Sequence, residues 1–250
     1  MVVARLATHL LFLTTPTAST VFLPSPWASV PAVPDPTPEN TAAAEHYFSA
    51  APSGDDRRRP LHVRLDGREV ELETSSSVFS SDRLDTGTAV LLDHVPAPPS
   101  GGPLLDVGCG WGPVALTMAL RSAEPSAREV WAVDVNERAR ALTTANAARL
   151  GLGGVRALAP EDVPADREVA ALWSNPPIRV GKDALHALLL TWLPRLAPGA
   201  SAHLVVAKDL GADSLLRWVG EQGAERADGR GWTAERTATK KGYRVLRVTR

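Results

Sequence analysis

The chain has 250 residues, 44% of them hydrophobic, which suits one globular domain with an appendage. A net charge of −1 excludes a simple polycation, and a single cysteine, Cys109, excludes both an internal disulfide framework and a cysteine-cluster metal site. Such cysteine usage suits a reducing, cytoplasmic setting.

Residues 1–44 form a leader rich in Pro, Ser, Thr and Ala and nearly free of charge. Such a segment buries too little apolar surface to order itself, so it is expected to be disordered. Its apolar piece, Leu10–Leu13, is too short to span a bilayer. A secretory signal would need a basic start and a continuous apolar core; here one Arg stands near the start, and Thr and His interrupt the core. No membrane partner is expected. The six histidines are scattered with no HExxH spacing, so no metal is expected either.

Residues 45–250 read as the folded domain, with 45–100 a hairpin and cap segment and 101–250 the core. "LHVRLDGREVELET" alternates apolar and polar residues around Asp66-Gly67, the pattern of two strands joined by a type I′ turn. "DTGTAVLLDHV" reads as a short helix feeding the linker "PAPPSGGP". A regular alternation follows. "PLLDVG" is a buried strand, and "PVALTMALRS" is a helix opened by Pro113. "EVWAVDV" is a strand, and "NERARALTTANAARLGL" is a helix with Asn136 as N-cap. "VRALA" and "VAALWSN" are strands. "KDALHALLLTWLPRL" is a helix, "GASAHLVVA" is a strand after a Pro-Gly turn, and "DSLLRWVGEQG" is a helix ended by glycine. "TAERTATKKGYRVLRVTR" reads as two closing strands. Strands alternating with helices predict an α/β fold with a parallel sheet covered on both faces; the closing strands predict an antiparallel hairpin at one edge. From Arg226 to Arg250 there are eight basic and two acidic residues, a local +6 compatible with a polyanionic partner.

"LLDVGCGWGP" places Gly108, Gly110 and Gly112 directly after the first parallel strand, where glycine lets the backbone approach a ligand closely. The spacing G-x-G-x-G departs from the dinucleotide fingerprint G-x-G-x-x-G, and Pro113 stands where its third glycine would fall. Asp106 precedes the loop; a carboxylate there opposes a pyrophosphate but suits a cationic amine. Asp134, 22 residues after Gly112, ends the second strand and can accept both hydroxyls of a ribose. Two acids around a nucleoside with an amino-acid tail describe S-adenosylmethionine (AdoMet) better than NAD.

"LLDVGCGWGPVAL" followed by "AVDVNERARALTTAN" resembles the class I AdoMet-dependent methyltransferases. The resemblance implies a Rossmann-like, seven-stranded, mostly parallel sheet, here preceded by a small β-hairpin. It implies that Asp106, Gly108 and Gly110 line the methionine part of the cofactor and that Asp134 holds the ribose. The acid bordering adenine falls in "APEDV", at Glu161 or Asp162. The fourth strand ends in Asn175-Pro176-Pro177, where amino-methyltransferases of this kind carry [DNS]-P-P-x. An exocyclic amine shares its lone pair with the base and is a poor nucleophile. Two acceptors, the Asn175 side-chain oxygen and the carbonyl of Pro176, would hold its hydrogens and turn the lone pair toward a methyl donor. The prolines are expected to keep that backbone stiff and extended.

"HYFSAAPS", "VFSSDRLDTGTAVLL", "SNPPIRVGKDALHALL" and "TKKGYRVL" together resemble the RsmC-type methyltransferases, which act on guanine N2 of small-subunit ribosomal RNA. The family segment FSxxxLDxGT matches Phe79, Ser80, Leu84, Asp85, Gly87 and Thr88 and is held to close over cofactor and target base. By that resemblance Thr88 borders the cofactor, while Phe79, Ile178, Arg179 and Lys182 border the substrate. The better-known enterobacterial members carry a further methyltransferase-like domain and an aromatic residue after Asn-Pro-Pro. This chain has Ile178 there and resembles the short, single-domain form. Arg179 and Lys182 are expected to meet the RNA backbone together with Lys240, Lys241 and Arg244. The implied activity is methylation of guanine N2 in 16S ribosomal RNA, with free RNA or the small ribosomal subunit as partner. The motif also admits another amine, adenine N6 or a protein glutamine amide, and the fold admits an RNA-binding protein without catalysis.

Overall fold

The computed structural model describes residues 57–76, 78 and 82–250; the leader and Phe79 lie outside the described residues. Strands β1 (Arg58–Leu65) and β2 (Arg68–Ser75) form the first hairpin. Asp66 (φ 48°) and Gly67 (φ 75°) both take left-handed backbone at its tip, as a type I′ turn requires. Leu61, Val63, Leu65 and Leu72 bury its inner face. Helix α1 (Thr86–His94) follows, capped by the Asp85 carboxylate, which accepts the Thr88 N–H.

The main sheet is built from β3 (Leu104–Val107), β4 (Val130–Val133), β5 (Val155–Leu158), β6 (Val169–Ser174), β7 (Leu196–Ala207), β8 (Thr233–Lys240) and β9 (Tyr243–Thr249). Its order is β5-β4-β3-β6-β7-β9-β8. The first five of these are parallel neighbours; β9 runs antiparallel between β7 and β8. This is the expected Rossmann-like methyltransferase sheet with its antiparallel edge hairpin. The chain progresses from β3 outward to β5, then returns to β6 on the other side of β3. The switch point therefore lies between the carboxyl ends of β3 and β6, where an open α/β sheet receives its ligand.

Helices α2 (Pro113–Leu120), α3 (Glu137–Arg149), α4 (Lys182–Trp192) and α5 (Ala212–Ala224) complete the two faces. Alternation along the central strands divides the core. Leu104, Ala132 and Trp173 pack with Leu91, Leu116, Met118 and Leu142 on one face. Leu105, Trp131 and Leu172 pack with Leu189, Trp192, Val219 and Trp232 on the other. Strands β3 and β4 are buried throughout, which accounts for their continuous apolar sequences. Among the described residues, no helix is long and apolar enough to cross a membrane. Nor does any group of three or more His, Cys, Asp or Glu gather as metal ligands among them.

Two element ends differ from the sequence reading. Strand β7 begins at Leu196, ahead of Pro198-Gly199, because Leu196 pairs with Val169 and the Gly199 N–H donates to Arg250 O at 2.7 Å. The Pro-Gly pair is thus an irregularity inside the strand. Helix α5 runs through Gly223 to Ala224. A Cβ at Gly223 would lie 2.2 Å from Trp232 O and 2.4 Å from the Trp232 ring, so this glycine serves close packing rather than helix termination.

Candidate functional site

The loop after β3 meets the end of β6. Gly108, Gly110 and Gly112 all have positive φ, at 81°, 58° and 97°. A Cβ at Gly108 would lie 3.8 Å from Pro177 Cδ and 3.9 Å from Asn175 O, so the glycine loop and the Asn-Pro-Pro segment form adjoining walls. Val78 stands 3.8 Å from the Cβ position of Gly110 and so borders the loop. Asn146 braces the other side. Its amide donates to Trp111 O and Glu73 O, both at 2.9 Å, and accepts the Glu73 N–H at 2.7 Å, tying the glycine loop to the first hairpin.

Asp106 ends within β3, fully buried. Its Oδ2 accepts the Ala115 N–H at 3.0 Å, in the first turn of α2. Its Oδ1 is buried and accepts no hydrogen bond among the described residues. Burial pushes its pKa up to about 8; the Ala115 N–H opposes that rise and the nearby Asp134 carboxylate adds to it. A buried acceptor without a donor is costly, and a cationic amine is the ligand chemistry that would satisfy it.

Asp134 follows β4, half-buried. One oxygen accepts the Gly110 N–H at 3.0 Å and the other the Asn136 N–H at 2.9 Å. Each oxygen keeps lone-pair capacity for a hydroxyl. Burial raises its pKa, opposed by those two N–H groups and by Arg140. Glu161 and Asp162 lie exposed in a 3-10 turn after β5 (Pro160–Asp162), at the same end of the sheet.

Asn175 is half-buried directly after β6. Its Nδ2 donates to Asp85 Oδ2 at 2.9 Å and to Thr88 Oγ1 at 3.0 Å. Both amide hydrogens are therefore used inside the protein, and Oδ1 is the atom left to act. Thr88, expected beside the cofactor, accepts one of these hydrogen bonds through its hydroxyl. The Pro176 carbonyl accepts the Ile178 N–H at 2.8 Å. Pro177, at φ −74° and ψ 74°, is the centre of an inverse γ-turn rather than extended backbone. One lone pair of that carbonyl remains for a ligand. Ile178 is half-buried against the core under α4. Arg179 belongs to the same 3-10 turn (Ile178–Val180), with its side chain outside the described residues. Lys182 is exposed as the first residue of α4.

Of the tail residues expected to meet RNA, Lys241 is exposed, while the other two are engaged within the protein. Arg244 is buried and pairs with Asp213, and Lys240 pairs with Asp93 at 3.1 Å. A backbone pattern shows net charge but not the acids that other elements bring to it.

The family model of the methyltransferase small domain matches residues 69–233, more than half of the chain. The chain belongs to the methyltransferase small-domain family. YbxB of Bacillus subtilis strain 168, an uncharacterised protein, is 32% identical over 176 residues, covering 69% of this chain and 86% of YbxB. The ribosomal RNA small subunit methyltransferase C of Stutzerimonas stutzeri is 30% identical over 207 residues, covering 80% of this chain and 57% of that protein. Among solved structures, the T. thermophilus 16S rRNA N2 G1207 methyltransferase (RsmC) in complex with AdoMet and guanosine superposes with a TM-score of 0.64 at 22% identity. That match covers 80% of this chain and 52% of the other, and it carries the fold. This methyltransferase small-domain chain thus spans about half the length of the RsmC proteins it matches.

Sequence reasoning placed Asp85 in the segment held to close over cofactor and base but gave it no role of its own. The D-x-x-T spacing marks it as a helix N-cap, but only the fold shows that the same carboxylate reaches the end of β6.

Proposed function

We propose that residues 45–250 are a catalytic unit that methylates an exocyclic amine, guanine N2 of 16S ribosomal RNA, using AdoMet. The observation that carries this reading is the Asn175 amide. With both hydrogens spent on Asp85 and Thr88, its oxygen is left to accept, and the Asn175 backbone adjoins a glycine loop that follows a buried carboxylate with one unsatisfied oxygen. The residues present fit the cofactor: Asp106 Oδ1 offers an acceptor to its ammonium group, Gly108 and Gly110 leave room for close approach, and Asp134 offers acceptors to its ribose. Asp162 or Glu161 borders the adenine. When bound, AdoMet supplies a methyl carbon made electrophilic by its sulfonium.

The chain's own contribution is orientation and electrostatics. Asn175 Oδ1 and the remaining lone pair of Pro176 O accept the two amine hydrogens. That direction of hydrogen bonding stabilises positive charge growing on the nitrogen, and no strong base is needed. Pro177 holds the second acceptor through its γ-turn. Ile178 offers an apolar edge to the base, and Phe79, next to Val78 in sequence, is the aromatic candidate. Arg179 and Lys182 lie where RNA phosphates flanking the target would pass. The names of the RsmC relatives support ribosomal RNA or the small subunit as partner, and the single cysteine suits a cytoplasmic setting.

The test is to incubate the chain with tritiated AdoMet and, separately, small-subunit particles, naked ribosomal RNA, DNA and protein extract, and to map the labelled atom by mass spectrometry. Label on guanine N2 of 16S RNA is expected. Label confined to adenine or to a glutamine amide would replace the substrate; no label anywhere would overturn catalysis. Asn175→Ala should lower turnover by roughly 100-fold with AdoMet affinity kept.

A further inference from the structure

We infer that Asp85 is a positioning residue that sets the sense of the Asn175 side-chain amide, so that its oxygen rather than its nitrogen faces the target amine. The inference rests on the methyl-transfer reading for its purpose, though the clamp itself stands on geometry.

An asparagine amide is nearly symmetrical in shape, and a half-turn about its last bond exchanges acceptor for donor. Here the exchange would place an NH2 against a substrate NH2 and remove the acceptor. Thr88 cannot prevent it, because a hydroxyl can donate as readily as it accepts. Asp85 can, because a carboxylate only accepts. A flipped amide would set two acceptor oxygens at the 2.9 Å now spanned by the Asn175–Asp85 hydrogen bond.

The Asp85 oxygen is itself immobilised. The same Oδ2 accepts the Thr88 N–H at 3.0 Å, which anchors it to the amino end of α1. Gly87 closes the other side: a Cβ there would lie 2.9 Å from Asp85 Oδ2 and 2.8 Å from the Tyr243 ring. No side chain fits between the clamp and Tyr243 at the start of β9. Helix end, carboxylate and amide thus form one relay that delivers a fixed acceptor to the switch point of the sheet.

The test uses Asp85→Ser and Asp85→Asn in the full chain. Serine keeps an N-cap acceptor for the Thr88 N–H but is too short to reach Asn175. Asparagine keeps an oxygen at the same position and is the conservative rescue. The first readout needs no catalysis: the side-chain NH2 pair of Asn175 in a 15N-labelled chain, assigned by its disappearance in Asn175→Ala. Its exchange with solvent should be slow in the native chain and in Asp85→Asn, and about tenfold or more faster in Asp85→Ser. The second is a cycle of kcat. Asp85→Ser should lower kcat by about tenfold with KM for AdoMet unchanged, Asp85→Asn should restore most of it, and Asp85→Ser should add no further loss in the Asn175→Ala background. An NH2 pair indifferent to Asp85→Ser would overturn the clamp, as would an equal kcat loss in both backgrounds. A clamp seen by NMR in a chain that labels no amine would instead count against the methyl-transfer reading and leave the clamp standing.

Discussion

Burial of Asp106 without a donor for Oδ1 sets a proton balance that can be measured. Its ordinary pKa is 3.8 and the folded value is about 8. Between those values the folded chain holds a proton that the unfolded chain has released. Folding takes up that proton, so the contribution of Asp106 to stability falls as pH rises from about 3.8 toward 8 and is flat above. Asp106→Asn removes the titration. Thermal denaturation of the two chains should show the native protein losing ground to Asp106→Asn across that window. A difference independent of pH would mean that Asp106 is not buried in the protonated form. The same substitution puts an amide N–H where a cationic amine would bind. Calorimetry should show AdoMet affinity at least about tenfold weaker.

At the level of elements, two glycines report packing that no local pattern specifies. Gly223 was legible as a helix stop, since glycine commonly follows a last turn. Instead, α5 continues because Trp232 lies flush against Gly223 and donates its indole N–H to Val219 O at 2.8 Å. Gly223→Ala should destabilise the chain by about 2 kcal/mol, the range of an overpacked core site, measured by urea denaturation. Gly87 sits in the first turn of α1, where alanine would otherwise favour the helix. Because its missing Cβ faces Asp85 Oδ2 and Tyr243, Gly87→Ala should cost turnover, roughly tenfold, more than it costs stability. Unchanged kcat in Gly87→Ala would show that the Asp85 oxygen has room to move.

Across the whole molecule, charge is redistributed by tertiary pairing. Four of the eight basic residues from Arg226 onward meet acids from elsewhere in the chain, and Arg226 and Arg247 pair within the tail, with Asp228 and Glu235. Arg244 pairs with Asp213, Lys240 with Asp93 and Arg250 with Glu168, the last at 2.7 Å. The exposed Lys240–Asp93 pair adds little stability, but all three pairs remove free positive charge. RNA binding against salt should separate the two classes of cation. Lys182→Ala and Arg179→Ala should each reduce the salt slope by about one. Arg244→Ala should leave the slope alone and lower the melting temperature, because it strips a buried partner from Asp213. A slope that falls with Arg244→Ala and ignores Lys182→Ala would move the RNA path to the edge hairpin.

The sheet was readable in the chain because its signals are local. Continuous apolar strands, Pro113 at a helix start, Asn136 as a cap and Asp66-Gly67 at a turn each act within a few residues. The glycine loop and the Asn-Pro-Pro segment were readable for the same reason: each must shape its own backbone to present a ligand surface. What those residues touch was decided by the fold. Asp85 and Asn175 are 90 positions apart, and only the tertiary fold, with α1 packed on β7 and β9 and its amino end reaching the end of β6, makes the acid the amide's partner. Arg244 and Asp213 likewise meet only when β9 inserts between β7 and β8. A hydrogen bond or ion pair between distant positions leaves no periodic trace, because it constrains two side chains in space and neither one's neighbours in sequence.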